Sequence, residues 1–76
     1  MERQYTVVLV PQPEEGGYSV FVPAMPGCVT HGQTVEEALE NAREAIAVYI
    51  ESLEAHGEPV PVEEGRPQVL TVKVAA

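Results

Sequence analysis

Apolar residues along this chain change their spacing partway. Up to His31 they come in short alternating or continuous blocks cut by Pro and Gly, and from Val35 onward they recur every three or four residues. The first block, Arg3 to Val10, reads Arg-Gln-Tyr-Thr-Val-Val-Leu-Val and is stopped by Pro11-Gln12-Pro13. Its β-branched content predicts a strand, apolar on both faces. A polar Glu14-Glu15-Gly16-Gly17 turn follows, after which Tyr18, Val20 and Val22 alternate with Ser19 and Phe21 up to Pro23. That pattern predicts a second strand antiparallel to the first. The Pro23-Ala24-Met25-Pro26-Gly27 loop is short enough only for another reversal, so Cys28 to His31 reads as a short third strand.

The second half has a different period. Val35, Ala38, Leu39, Ala42, Ala45, Ile46, Tyr49, Ile50 and Leu53 lie on one face of a helix. Thr34 stands at its N-cap with Glu37 three residues on. This is a capping box, in which the Thr34 hydroxyl accepts from the Glu37 amide and the Glu37 carboxylate reaches back to the Thr34 amide. With His56-Gly57 as the stop, a helix of about 22 residues and roughly 33 Å is predicted. Pro59, Pro61, Gly65 and Pro67 then forbid further helix. In the closing segment, Gln68 to Val74, Leu70, Val72 and Val74 alternate with Thr71 and Lys73, as in a last strand.

The expected fold is therefore α+β, a single domain over residues 1–76 with the order β-β-β-α-β. A three-stranded antiparallel meander gains a last strand parallel to the first, and one long helix packs on one sheet face; right-handed crossover sets the hand. The other face is left open. Either Val8 and Val10 or else Val7 and Leu9 point there, with Phe21 as a neighbour. Since the sequence holds no second helix, another copy or another protein is expected to cover that face. Val8, Val10 and Phe21 are the candidate interface of a homo-oligomer, a dimer or tetramer.

Size and charge sharpen this picture. A chain of 76 residues buries only about 60% of the surface it exposes unfolded, so its stability is thin or partly borrowed. Four Lys or Arg face twelve acids, for a formal charge of −8. Every acid is Glu. The absence of Asp weakens a two-metal nuclease reading, which relies on clustered short carboxylates. So acidic a surface repels phosphate backbones, and no direct nucleic-acid binding is expected. With no signal peptide and no apolar run of about 18 residues, the expected address is the cytoplasm rather than a membrane.

Few residues invite catalysis or metal binding. Cys28 and His31 make half a zinc pattern, but only His56 remains as a further ligand and a structural zinc takes four. Their odd separation also puts them on opposite faces of a strand. Cys28 reads as a small packed residue and His31 as a polar group at the strand end. Thr30, Ser19 and Ser52 have no nucleophile-elbow context, and Gly16, Gly17 and Gly27 belong to turns rather than to a phosphate loop. No catalytic, metal or cofactor-binding residue is assigned, and no cofactor is expected.

The helix carries the strongest charge pattern. Glu36, Glu40 and Glu44 follow one another at four-residue steps, Glu37, Glu51 and Glu54 lie nearby, and Arg43 is the one basic residue among them. Each like-charge pair costs about 0.2–0.5 kcal/mol, less in salt. Glu36 and Glu37 gain from the positive end of the helix dipole, whereas Glu44, Glu51 and Glu54 do not. A cationic partner would offset the repulsion. The same pattern also suits a solvated face kept charged for solubility.

One run of motifs has a familiar order. Glu15-Gly16-Gly17-Tyr18, Val22-Pro23, Pro26-Gly27-Cys28-Val29-Thr30-His31-Gly32 and Thr34-Val35-Glu36-Glu37-Ala38-Leu39-Glu40-Asn41-Ala42 together resemble the N-terminal domain of the HicB-like antitoxins. The resemblance spans about three quarters of the chain and implies a shortened ribonuclease H-like fold. It further implies a non-catalytic antitoxin that binds and masks a small basic ribonuclease toxin of the HicA type. On that reading Glu36, Glu40, Glu44 and Glu51 are the candidate partner-binding residues, competing with RNA for the toxin's positive charge. Many relatives continue into a helix-turn-helix or ribbon-helix-helix that binds the operator; this sequence ends at Ala75-Ala76 and reads as the stand-alone form. Where the family often carries Asp, this chain has Ala24 or Met25 and Gln33, which removes support for residual nuclease chemistry. The alternative function is an orphan module that assembles only with itself, and a third reading is a vestigial nuclease.

Overall fold

Thr34 fixes where the long helix begins. A computed structural model describes residues 3–75; Met1, Glu2 and Ala76, the ends of the expected domain, lie outside the described residues. Helix α1 spans Val35–Ala55, with the Thr34 hydroxyl accepting from the Glu37 amide at 3.1 Å. The return half of the box is displaced by one residue. Glu37 Oε1 accepts from the Gln33 amide at 2.8 Å, so the carboxylate serves the residue before the cap. At the other end Glu58 N–H donates to Leu53 O and Gly57 N–H to Glu54 O, the paired bonds of a Schellman stop. Gly57 takes φ 68 there, a conformation that costs other residues strain.

Three strands form one antiparallel sheet in the order β1-β2-β3, with β1 at Val8–Pro11, β2 at Tyr18–Phe21 and β3 at Val29–Gly32. The first strand begins later than its composition suggests. Arg3 to Val7 has no ladder partner because β2 ends at Phe21. Beyond that point the chain turns through the Val22–Cys28 loop, closed by bonds from Val22 N to Cys28 O and from Cys28 N to Met25 O.

The helix lies on the sheet face that carries Val7, Leu9 and Val20. Val20, Ala38 and Ala42 form one buried cluster with Val7, Leu9 and Tyr18 against it. Val22, Met25 and Cys28 form a second, beneath Ala45, Ile46, Tyr49 and Ile50. Small residues let the helix approach closely. A Cβ on Gly32 would stand 2.5 Å from Ala38 Cα and overlap the Ala38 nitrogen, so the backbone of β3 touches the first turns of α1 there. Not every residue of the predicted apolar stripe is covered, since Val35 and Leu39 remain exposed.

The expected last strand is not formed within the chain. Gln68 to Val74 pairs with nothing in the sheet, and Val69, Leu70, Val72 and Val74 are 79–82% exposed. The linker before it is anchored to the start of the chain. Tyr5 Oη donates to Pro61 O at 2.6 Å, and Glu63 accepts from both the amide and the hydroxyl of Thr6. These bonds tie the linker after α1 to the lead-in of β1.

Candidate functional site

Helical geometry sets the charged surface. At 3.6 residues per turn, Glu36, Glu40, Glu44 and Glu51 fall within about 80° of arc, and all four are exposed. The structure therefore brings the expected acidic residues onto one side of α1. They differ in how free they are. Glu40 pairs with Arg43 at 2.7 Å, both well exposed, an arrangement that contributes little to stability. Glu37 is engaged at the cap. Glu36, Glu44 and Glu51 make no side-chain hydrogen bond among the described residues.

The open sheet face lies on the other side of the molecule. Strand register places Val8 opposite Phe21 and Phe21 opposite Val29, a row of apolar side chains across all three strands. Val10, Ser19 and His31 make the next row. Of the two alternatives left open by the sequence, Val8 and Val10 face outward while Val7 and Leu9 pack on the core. Phe21 is 41% exposed and Val29 67%. Val29 was invisible as a member of this patch until the register with Phe21 was known.

Two grooves flank the helix. One, of about 1010 Å³, lies between the lead-in to β1 and the helix, and its lining includes Val7, Leu39, Ile46, Ile50, Glu63 and Arg66. The other, of about 530 Å³, lies along β3 and includes Val29, Asn41, Glu44 and Val48. Asn41 Nδ2 donates to the His31 carbonyl at 2.7 Å, tying that strand to the helix.

Cys28 belongs to the core. Its thiol is pushed above its ordinary pKa by burial, which disfavours the reactive thiolate. His31, by contrast, is exposed on the open face. No group of three His, Cys, Asp or Glu side chains comes together as a metal site among the described residues. Nor is any helix among them long and apolar enough to cross a membrane.

Three antiparallel strands with one long helix packed across them define an α+β domain, and its distinctive chemistry is an acidic helix over an apolar sheet. The chain belongs to the HicB-like antitoxin family, described as the HicB-like antitoxin of bacterial toxin-antitoxin systems, which it matches over residues 5–71. Among its relatives, a UPF0150 protein of Thermoplasma acidophilum is 53% identical over 58 residues, covering 76% of this chain and 83% of that protein. A UPF0150 protein of Synechocystis is 50% identical over 60 residues, covering 79% and 75%. The protein named Antitoxin HicB 1 of Photorhabdus laumondii is 42% identical over 59 residues, covering 78% of this chain but only 37% of that longer protein. The family thus points to a regulatory role in a toxin-antitoxin system.

Proposed function

We propose that this domain is an antitoxin that acts in the cytoplasm by covering the basic RNA-binding face of a small HicA-type ribonuclease, without catalysing a reaction itself. The observation that carries the reading is the stripe Glu36, Glu40, Glu44 and Glu51. It is exposed, and among the described residues Glu36, Glu44 and Glu51 make no side-chain hydrogen bond or ion pair. In a chain of net charge −8, such a stripe steers a cationic partner and repels RNA. Family membership and the relative named Antitoxin HicB 1 support the same role. Mixing the purified chain with the basic protein encoded beside it tests the reading. RNA cleavage stops at saturating amounts if the domain occludes the toxin, and unimpeded cleavage refutes it.

A second reading has its own support. The row Val8, Phe21 and Val29 is apolar, with Val8 half-buried and Phe21 and Val29 exposed on the side away from the helix, which suits a homo-oligomer, dimer or tetramer, packed through the sheet. Such packing leaves the acidic stripe free, so self-association and toxin binding are compatible. An orphan module would show the first without the second. A gene neighbourhood that lacks a small basic reading frame favours it.

A further inference from the structure

We infer that the outer edge of β3 receives an extended segment of a basic partner protein, which adds to the sheet as a further strand with Lys or Arg on its helix side and apolar residues on its open side. This rests on the toxin-binding reading of the acidic stripe and names the place and manner of docking. The edge carries unpaired backbone groups. β3 ends the sheet order β1-β2-β3 and pairs with β2 alone. Val22 N–H donates to the Cys28 carbonyl, and bonding along an antiparallel ladder alternates, so Thr30 and Gly32 also face β2 while Val29 and His31 turn their backbone groups outward. Asn41 Nδ2 takes the His31 carbonyl from that outer side. The Val29 amide and carbonyl and the His31 amide have no partner among the described residues. No proline or lysine within Val29–Gly32 blocks the edge.

The groove beside that edge selects the occupant. Val29, Glu44 and Val48 are among the residues that line it, and all three are exposed. A strand paired along Val29–Gly32 sends alternate side chains to the two faces of the sheet. Those on the open face extend the row of Val8, Phe21 and Val29. Those on the helix face pass over Val48 toward Glu44, with Glu51 about two turns further along the same line of α1. The stem of a Lys or Arg covers Val48 while its charge meets the carboxylates. A second copy fits less well. Pairing β3 with β3 sets two chains of net charge −8 side by side with their Glu44 residues on the same face, and like charges across strands repel. With a basic segment, main-chain bonds supply affinity and the alternate side chains supply specificity.

Amide hydrogen exchange of the full chain, alone and with the basic protein encoded beside it, tests the docking. In the complex the Val29 and His31 amides are expected to slow roughly tenfold or more, while Thr30, already bonded to β2, changes less. Val29→Pro removes an outward N–H without touching the ladder to β2 and should weaken the complex roughly tenfold. Val48→Lys keeps every backbone group and should weaken it as well, most strongly at low salt. Should Val29→Pro lose its helical circular dichroism, the exchange data and Val48→Lys decide alone. A complex that forms with the Val29 and His31 amides unprotected, or that holds both variants as tightly as the parent, overturns the edge and leaves the toxin reading standing. No complex at all removes both. Protection of these amides in the chain alone, rising with its concentration, overturns the basic partner in favour of a second copy.

Discussion

Thr6 gives both its backbone amide and its hydroxyl to one carboxylate, that of Glu63, at 2.6 and 2.7 Å across 57 residues of sequence. These two bonds, with help from nearby Arg66, hold Glu63 below its ordinary pKa. The sign of the pH effect follows. A depressed folded pKa means that the clamp's contribution is fully present above the unfolded glutamate value of about 4.3 and is lost as pH falls through the lower folded value. Thr6 amide exchange, corrected for the intrinsic rate, is therefore expected to accelerate on acidification in that window. Glu63→Gln, which cannot ionise, is expected to flatten the dependence, and an unchanged profile would remove Glu63 as its cause.

Gly32 is a packing requirement. Its Cα faces the backbone of Ala38 with no room for a methyl group, and the helix cannot retreat without opening the Val20, Ala38 and Ala42 cluster. Gly32→Ala is expected to cost about 1–3 kcal/mol, the range for overpacking. In a domain of this size that corresponds to a fall in Tm of roughly 4–8 °C per kcal/mol. A thermal melt within a degree of the parent would show that the helix start adapts freely.

The N-cap offers a graded test. Thr34→Ala removes the acceptor for the Glu37 amide and is expected to cost about 0.5–2 kcal/mol, whereas Thr34→Ser keeps the oxygen and should stay near the parent. Glu37→Gln preserves an acceptor for the Gln33 amide but loses the charge near the positive end of α1, worth about 0.3–1 kcal/mol at low salt. Urea denaturation in low and high salt distinguishes these terms, since only the second is screened.

Much of the fold was legible because it is local. Spacing placed α1 within a residue of its observed ends, and the Thr34 and Gly57 signals set its limits. Strand positions were also readable, but pairing was not. Arg3 to Val7 and Gln68 to Val74 both have the composition of strands and neither joins the sheet, because a ladder needs a partner that composition does not specify. The same limit applies to the surfaces. Helical period alone assembled Glu36, Glu40, Glu44 and Glu51, whereas Val29 joins Phe21 only through register, and the Thr6–Glu63 clamp spans too much sequence for any local pattern to signal it.

The acidic stripe makes opposite predictions for folding and for binding. Glu44 and Glu51 are exposed and make no side-chain hydrogen bond among the described residues, while α1 has no basic residue in its last turn to balance them. Neutralising them as Glu44→Gln and Glu51→Gln relieves like-charge repulsion and should leave the helix unchanged or stabilise it by about 0.2–0.5 kcal/mol per pair. If the stripe receives a basic toxin, the same substitutions slow association, and the loss is largest at low ionic strength, where screening is weakest. Glu40 is the internal control, since Arg43 already neutralises part of its field and Glu40→Gln should weaken binding less. Surface plasmon resonance across a salt series reads the difference as a change in association rate. Equal rates for parent and double variant at every salt concentration would leave solubility as the role of these glutamates.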